Sequence, residues 1–317
     1  MDSHILDLTP TDDCRVHPRH GRFCQREDLD LLIGEVGGLA SPAPQQPLAD
    51  LSGFLNRTVL SGPPRIVGLA SRVLNGAHLA VKYTDIDGLV AGDLDKVMKW
   101  RRRYGIAPDQ LLILHQESRD DLLERLYRAT RKASFWFLLS LLGPCILIAP
   151  GYSVYDDGSM CRVHQKYNMA RSARFVYEAA SHGFDLVPAL GWDRQSDLSQ
   201  HSAWLRGSES KVIAINAQTG LRLIPDLVDG MLQIERDLDQ QVEWIVFGGR
   251  KGVQRIVREG IDSQRIIHVA SQPLRYAMFH RQLTKDRSTV DDTVESLVKT
   301  NSHIQERWHQ QLLSQNR

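Results

Sequence analysis

Five acidic residues follow apolar, strand-like runs in this sequence, and carboxyl groups placed in this way could act in acid–base or nucleophilic catalysis. They are Asp85, Glu117, Asp156, Asp157 and Asp193. Glycosyl transfer and hydrolysis use two such groups, one as nucleophile or electrostatic stabiliser and one as general acid and base. An Asp after a strand also commonly caps the next helix, and for each residue alone this interpretation stays open. If all five lie together at the end of a barrel that these strands form, the set favours catalysis.

A glycine-rich turn at residues 247–252 (FGGRKG) lies between an apolar run and a helix-like run. Glycine lets the backbone approach a ligand closely, and the free N–H groups at a helix start attract anions. Two cationic side chains add positive charge at the same place. We therefore predict that Gly248, Gly249, Arg250 and Lys251 bind a substrate phosphate. The alternative is that the Gly-Gly turn only connects a strand to a helix.

Two other basic segments could contact an anion. Asn168, Arg171 and Arg174 follow one another at i, i+3 spacing, so one helix face would present an amide and two guanidinium groups to a carboxylate or phosphate. A solvated basic face explains this pattern equally well. The run at 100–104 (WRRRY) has the composition of nucleic-acid surfaces. Cations at the end of a helix also interact favourably with its dipole, and this second interpretation is the favoured one.

Four potential zinc ligands lie close together near the start of the sequence: Cys14, His17, His20 and Cys24. Their spacing fits no standard zinc finger, so no metal site is predicted, although zinc binding by this segment stays an open question. The sequence contains neither a P-loop nor a dinucleotide-binding glycine motif, and no cofactor is predicted.

Alternating strands and helices must position these residues. Short apolar runs, typical of parallel strands buried on both faces, alternate with amphipathic helical patterns from Pro64 onward. The predicted strands are Ile66–Ala70, Leu79–Tyr83, Leu111–His115, Cys145–Ala149, Leu186–Leu190, Val212–Asn216, Trp244–Phe247 and Ile266–Ala270. Eight such units predict an α/β fold, a (β/α)8 barrel of the TIM type, with its functional groups at the carboxyl ends of the strands. The first two runs are too close for a helical crossover, which predicts an irregular first unit.

The same patterns predict the helices and the domain organisation. The main helix candidates are Leu94–Tyr104, Asp121–Lys132, Val163–Ser181, Leu223–Leu238 and Val294–Leu313. Residues 1–60, with a proline-rich stretch at 41–47, are predicted to form an N-terminal extension. Residues 61–285 form the predicted barrel, and residues 286–317 form a C-terminal helix that packs on it.

Composition limits the classes of protein that fit. A hydrophobic content of 42% and a charged content of 24% are typical of soluble globular proteins. The formal net charge of +1 gives no general attraction to nucleic acid, so such a contact would need local basic patches. Four scattered cysteines and a start without a basic-then-apolar pattern predict a cytoplasmic protein. The most apolar stretch, 135–148, is interrupted by Gly143-Pro144 and is predicted to be core rather than membrane.

A series of short motifs runs from Ala149 to Arg281. It comprises Ala149-Pro150, Val187–Trp192, His201, Val212–Ile215 with Gln218, Phe247–Lys251 and Ala270-Ser271. Their order resembles the tRNA- and DNA-guanine transglycosylase superfamily, and most closely its phage and bacterial DNA-modifying branch. The segment Pro150–Tyr155, followed by Asn168 and Arg171, also resembles the P-x-[FY]-S-x-Y signature of an uncharacterised phage and bacterial domain family.

The first resemblance implies a (β/α)8 barrel that exchanges guanine for a 7-deazaguanine base in DNA or RNA, in the cytoplasm of the cell or of a phage host. One Asp acts there as nucleophile on the sugar C1′ and a second as general acid and base. By this resemblance Asp85 is the acid and base and Asp193 the second catalytic carboxylate. Asp156 and Gln218 would bind the base edge, and Tyr152 would stack on the base.

The sequence departs from that family at three points. Residues 84–88 (TDIDG) stand nearest to the usual Asp-Ser-Gly-Gly motif, and Ser271 stands where an Asp is expected. The cysteine-rich zinc motif of the tRNA enzymes is absent, and the identity of the nucleophile stays open. Two other functions also fit: a barrel enzyme acting on a small phosphorylated metabolite or nucleotide, and a non-catalytic binding protein whose strand-end carboxylates are caps.

Overall fold

A computed structural model describes residues 44, 48, 50–51, 58–117, 120–152, 154, 162–218, 223–283 and 292–314. Within them, nine parallel strands form one sheet: β1 Thr58–Ser61, β2 His78–Lys82, β3 Leu112–His115, β4 Cys145–Ile148, β5 Leu186–Val187, β6 Ala189–Leu190, β7 Val212–Asn216, β8 Glu243–Phe247 and β9 Ile266–Ala270. The helices are α1 Pro64–Val73, α2 Leu94–Tyr104, α3 Asp120–Thr130, α4 Ala133–Ser140, α5 Arg162–Ser181, α6 Gln195–Ser208, α7 Ile224–Leu238, α8 Arg250–Arg258, α9 Gln272–Met278 and α10 Val294–Ser314.

The sheet forms a barrel because the first strand pairs with the last. β1 lies between β2 and β9, and all three run parallel. The two ends of the strand order, β5 and β6, are halves of one strand that is interrupted at Pro188. β5 pairs with β4 and β6 pairs with β7, and the Pro188 carbonyl accepts a hydrogen bond from the Ala214 N–H at 2.8 Å. Nine short strands therefore occupy eight positions, which confirms the predicted (β/α)8 architecture.

One predicted strand is wrong, because Ile66–Ala70 lies inside α1. Pro64 stands at the first turn of this helix, where its missing N–H costs nothing and its fixed φ suits the helix. The first strand is instead Thr58–Ser61, which begins inside the segment predicted as an N-terminal extension. α1 then supplies a crossover from β1 to β2, so the first unit is regular rather than irregular.

Local signals fix the bounds of α2, which match the predicted helix. The Asp93 side chain accepts a hydrogen bond from the Lys96 N–H at 3.1 Å and caps the start. Gly105 ends the helix with a φ of 69°, in the left-handed region that glycine adopts at little cost. Between these caps the helix buries Val97 and Trp100 against the barrel.

The C-terminal helix α10 packs on the barrel beside α9, α1 and β1, as predicted. Leu297, Val298 and Leu312 are buried in this contact. Asn301 of α10 accepts a hydrogen bond from the Leu283 N–H at 2.7 Å and donates to the carbonyl of Arg281 at 3.0 Å. No helix among the described residues has the length and apolar character needed to cross a membrane.

Candidate active site at the barrel mouth

Polar side chains occupy the last inward-facing positions of several strands. Lys82 of β2 pairs in register with His115 of β3, and paired residues of neighbouring strands point to the same face. Ser61 Oγ, at the end of β1, lies 2.8 Å from His115 Nε2. The ring of His115 also lies 5.0 Å from that of Phe247, at the end of β8. These contacts from separate strands place His115 inside the barrel near its C-terminal mouth.

Glu117 lies two residues beyond β3 and is buried at the same mouth. Its Oε2 atom accepts a hydrogen bond from Asn216 Nδ2 at 2.6 Å, and Asn216 is the last residue of β7. The Glu117 N–H faces His115 Nδ1 at 3.4 Å. Because β4 and the interrupted β5–β6 strand separate β3 from β7, the bond between Glu117 and Asn216 spans the mouth.

Burial controls the protonation of this cluster. It raises the pKa of Glu117 to about 8, although the charge of Lys82 and the hydrogen bond from Asn216 act in the opposite direction. It lowers the pKa of His115 to about 3, and Lys82 adds to this effect. Glu117 is therefore protonated and His115 neutral near pH 7. A protonated carboxyl group at a barrel mouth can serve as a general acid.

The chain passes very close to Glu117 at the end of β4. A Cβ atom at Gly151 would lie 2.7 Å from Glu117 Oε1, closer than Cβ atoms approach other atoms in proteins. Glycine at this position therefore leaves the space that the carboxyl group occupies.

Asp85 lies beside this cluster, on a single 3-10 turn that follows β2. Partial burial raises its pKa, and the charge of Lys82 lowers it in part. Lys82 thus acts on both Asp85 and Glu117. The turn is tied to the next strand because Gln116 Oε1 accepts a hydrogen bond from the Thr84 N–H at 3.3 Å.

Asp193, the other predicted catalytic carboxylate, belongs to a separate network of charges after β6. Its Oδ2 atom lies 3.8 Å from Arg162 and 3.7 Å from Arg194. Arg162 also pairs with Asp197, and Lys166 Nζ lies 2.6 Å from Asp197 Oδ1. Burial acts to raise the pKa of Asp197, but hydrogen bonds and charges from Arg162 and Lys166 outweigh it and hold the pKa well below its usual range.

Tyr152, predicted to stack on a base, is only 7% exposed and lies under Arg171. The Arg171 guanidinium is 4.1 Å from the centre of the Tyr152 ring, and the rings of Tyr127 and Tyr167 lie within 5.3 Å of it. Arg171 also donates a hydrogen bond to Asn168. The helix face that could have received an anion is therefore engaged within the protein.

The turn at Gly248–Lys251 follows β8 as predicted, but its arginine is directed at α10. Arg250 Nε donates a hydrogen bond to Gln305 Oε1 at 2.8 Å, and the guanidinium lies 5.3 Å from the centre of the Trp308 ring. Lys251 is exposed. Gly249 precedes the first turn of α8, which no side chain of the described residues caps. Phosphate binding by this turn remains a prediction that rests on its backbone N–H groups.

Gln218 supports the mouth through its backbone. Its N–H donates a hydrogen bond to Asn216 Oδ1 at 2.8 Å, and this bond orients Asn216 so that its Nδ2 atom faces Glu117. Asp156 and the segment from Cys14 to Cys24 lie outside the described residues. Within the described part of the chain, no group of three or more His, Cys, Asp or Glu side chains could hold a metal ion.

The basic run at 100–104 forms the last turns of α2, from which the chain leads back to β3. Trp100 is buried, and Arg101 donates hydrogen bonds to the carbonyls of Ala107 and Gln110 at 2.8 Å. Arg103 pairs with Asp87 at 2.5 Å. Both arginines thus have partners within the protein.

The sequence places Lys82, His115, Glu117 and Asn216 at strand ends, but pattern alone did not single them out as one site. A usable signal is present in three strands, HLAVK, LILH and VIAIN, in each of which an apolar run is followed by a polar last residue. A polar side chain at the end of a buried strand needs a partner, and the nearest space is the mouth.

No protein-family model matches this chain, and no curated protein matches it either.

Proposed function

We propose that the protein is an enzyme that cleaves and exchanges a glycosidically bound nucleobase, with Glu117 as general acid and base. The observation that carries this proposal is the burial of Glu117 at the mouth of the barrel, with a pKa raised to about 8. A carboxyl group that is protonated near pH 7 can give its proton to the departing base. The resulting carboxylate can then take a proton from the incoming base.

Asp85 is the second carboxyl group in this proposal. It follows β2, the strand next to the one that precedes Glu117, and both acids interact with Lys82. Because Asp85 is less buried than Glu117, it keeps its negative charge more readily. As an anion, Asp85 can stabilise or attack the positive C1′ centre that forms when the base leaves. Asp193 was expected in this role, but its carboxylate lies near Arg162 and Arg194.

The substrate class comes from the order of motifs that resembles the guanine transglycosylases. It supports DNA or RNA as the polymer and a 7-deazaguanine as the incoming base. The turn at Gly248 lies beside the end of β7, since a Cβ atom at Gly248 would be 3.3 Å from the Ala217 Cβ. Backbone N–H groups at the start of α8 are thus available to a phosphate next to Asn216.

A small phosphorylated nucleotide or metabolite is the second candidate substrate. Arg250, Arg101 and Arg103 are engaged within the protein and are not free to contact a long polyanion. One phosphate at the start of α8 would be enough for a small substrate.

Base exchange is the direct test. Purified protein is incubated with single-stranded DNA, duplex DNA or RNA and a labelled guanine or 7-deazaguanine, and incorporation and release of base are measured. We expect Glu117→Gln to lower the rate by about 100-fold or more, and Asp95→Asn, an exposed acid on α2, to leave it unchanged. The wild-type rate should fall as the pH rises past about 8, because Glu117 then loses its proton.

Three outcomes distinguish the candidates. Incorporation into a polymer supports base exchange on nucleic acid. Turnover of a free nucleotide alone supports the small-substrate function. If neither polymer nor nucleotide gains or loses a base under any condition, glycosidic chemistry is rejected.

A further inference from the structure

The helix α9 carries a row of side chains that begins at the barrel mouth. It follows β9 through Ser271, so Gln272 lies next to the carboxyl ends of the strands. Gln272, Arg275, Tyr276 and Phe279 stand at i, i+3, i+4 and i+7 and share one helix face. Together with Arg281 they line a groove on the surface, called the α9 groove below.

The two arginines of the α9 groove differ from most arginines near the barrel. Arg275 and Arg281 are exposed, and neither guanidinium has a polar partner among the residues that the structure describes. By contrast, Arg101, Arg162 and Arg250 all donate to groups of the protein. The α9 groove thus holds two positive charges that are available to an anion.

The backbone at Arg281 is held in place although its side chain is exposed. Its N–H donates a hydrogen bond to the Tyr276 carbonyl at 2.8 Å, and its own carbonyl accepts one from Asn301 Nδ2 at 3.0 Å. Asn301 belongs to the buried face of α10. Arg281 therefore has a fixed position relative to α9, as a binding residue requires.

An exposed aromatic ring lies between the two arginines in sequence. Phe279 is 56% exposed, and Tyr276 lies one helical turn before it. The exposed ring of Phe279 lines the same groove as the guanidinium groups of Arg275 and Arg281. Base stacking on aromatic rings, combined with guanidinium contacts to the backbone, is how proteins bind single-stranded nucleic acid.

We propose that the α9 groove binds a single-stranded segment of nucleic acid beside the barrel mouth. Arg275 and Arg281 contact phosphates, and Phe279 stacks on a base. At 1.5 Å per residue, the row from Gln272 to Phe279 extends about 10 Å outward from the mouth. The choice of nucleic acid over another polyanion rests on the proposed function, in which a base of the same strand enters the mouth.

Binding is tested by fluorescence anisotropy with a short labelled oligothymidine over a series of salt concentrations. The double variant Arg275→Gln/Arg281→Gln should weaken binding and reduce the log–log salt slope by about 0.7 for each guanidinium removed. Phe279→Ala should weaken binding about tenfold and leave the salt slope unchanged, because stacking releases no counterions. All variants are first checked for an unchanged thermal unfolding curve.

The matched control is Arg102→Gln/Arg258→Gln. These two arginines are also exposed, but they stand in the last turns of α2 and α8, at the amino end of the barrel. This variant has the same change in net charge and should bind oligothymidine as the wild type does. If the control variant and the groove variant weaken oligothymidine binding equally, the binding reflects general electrostatic attraction, and the proposal is overturned.

Further outcomes separate this inference from the proposed function. Absence of oligothymidine binding at low salt, unchanged affinity in both groove variants, or equally good competition by polyglutamate overturns the α9 groove. Glu117→Gln should keep full oligonucleotide binding. If the wild type binds through the groove but exchanges no base, only the proposed function fails. If base exchange on a polymer proceeds equally well in the groove variants, only the proposal for the α9 groove is rejected.

Discussion

Two buried acidic sites at the barrel mouth have opposite electrostatics. After β6, Asp197 is enclosed by Arg162 and Lys166, and its pKa is held well below the usual range. After β3, Glu117 is also buried, but its hydrogen-bond partner is the neutral amide of Asn216, and its pKa rises to about 8. Burial penalises the charged form at both sites, so the partner of each carboxyl group decides whether its pKa rises or falls. A nearby cation produces an ion pair, and a neutral partner leaves the buried carboxyl group protonated near pH 7.

The largest effect is expected at the ion-paired site. Asp197→Asn leaves Arg162 and Lys166 close together without their counter-charge, and should lower the free energy of unfolding by about 3–5 kcal/mol at pH 7. Urea unfolding measures this change. The control Asp95→Asn, whose side chain is 83% exposed in a pair with Lys99, should change stability by less than about 0.5 kcal/mol. A loss below about 1 kcal/mol in Asp197→Asn would mean that the network is not structural.

The second effect is a difference in pH dependence. The pKa of Glu117 is raised from 4.5 to about 8 on folding, so the folded state keeps a proton that the unfolded state releases between these values. Stability from Glu117 is therefore complete below pH 4.5 and is lost as the pH rises to about 8. Glu117→Gln removes this loss and should be more stable than the wild type by about 2 kcal/mol at pH 9.

The same measurement distinguishes the two acidic sites. Free energies of unfolding of the wild type and of Glu117→Gln are compared at pH 5, 7 and 9. The contribution of His115 is the same in these two proteins and cancels. Asp197 has the opposite sign, because its pKa is lowered on folding and its contribution is lost only in acid. Parallel curves for wild type and Glu117→Gln from pH 5 to 9 would show that Glu117 titrates normally and would remove the contrast.

A smaller effect is expected from Gly151→Ala, which disturbs the proton donor without touching the ion-paired site. The new Cβ atom would lie 2.7 Å from Glu117 Oε1, so the carboxyl group must move away from Asn216. We expect a stability loss of about 1 kcal/mol and at least a tenfold lower rate of base exchange. Gly207→Ala, on α6 with open space around the new methyl group, should be neutral or slightly stabilising. Equal rates in the two variants would argue against the position assigned to Glu117.

The smallest effect is expected from Asp193→Asn. Its Oδ2 atom lies 3.7–3.8 Å from Arg194 and Arg162, and Arg162 keeps its pair with Asp197, so the loss of stability should be about 1 kcal/mol. Base exchange should stay within a few-fold of the wild type. A loss of about 100-fold or more would instead restore Asp193 as the second catalytic carboxylate.

Much of the fold could be predicted because its signals are local. The bounds of α2 follow from Asp93 at its start and Gly105 at its end, and β7 matches the apolar run Val212–Asn216. The first strand and helix, β1 and α1, could not be predicted in the same way. β1 is only four residues long, and the apolar run Ile66–Ala70 is equally compatible with a short strand and with one side of a helix.

The candidate site was less predictable than the fold. Pattern placed Asp85, Glu117 and Asp193 after strands, where a barrel concentrates its chemistry. It could not tell which of them is ionised, because Asn216 lies 99 residues from Glu117 in the chain and Arg162 lies 31 residues before Asp193. Those partners are brought together only when the strands close into a barrel.

Hydrophobic period, caps and turns were thus enough to define a barrel and the residues at its mouth, because each depends on near neighbours in the chain. Tertiary structure alone separated Glu117, with its raised pKa, from the ion-paired Asp197 and directed Arg250 at α10. The physical reason is that the pKa of a carboxyl group depends on burial and on the charges that enclose it. In this protein the groups that enclose Glu117 and Asp197 come from different strands and helices.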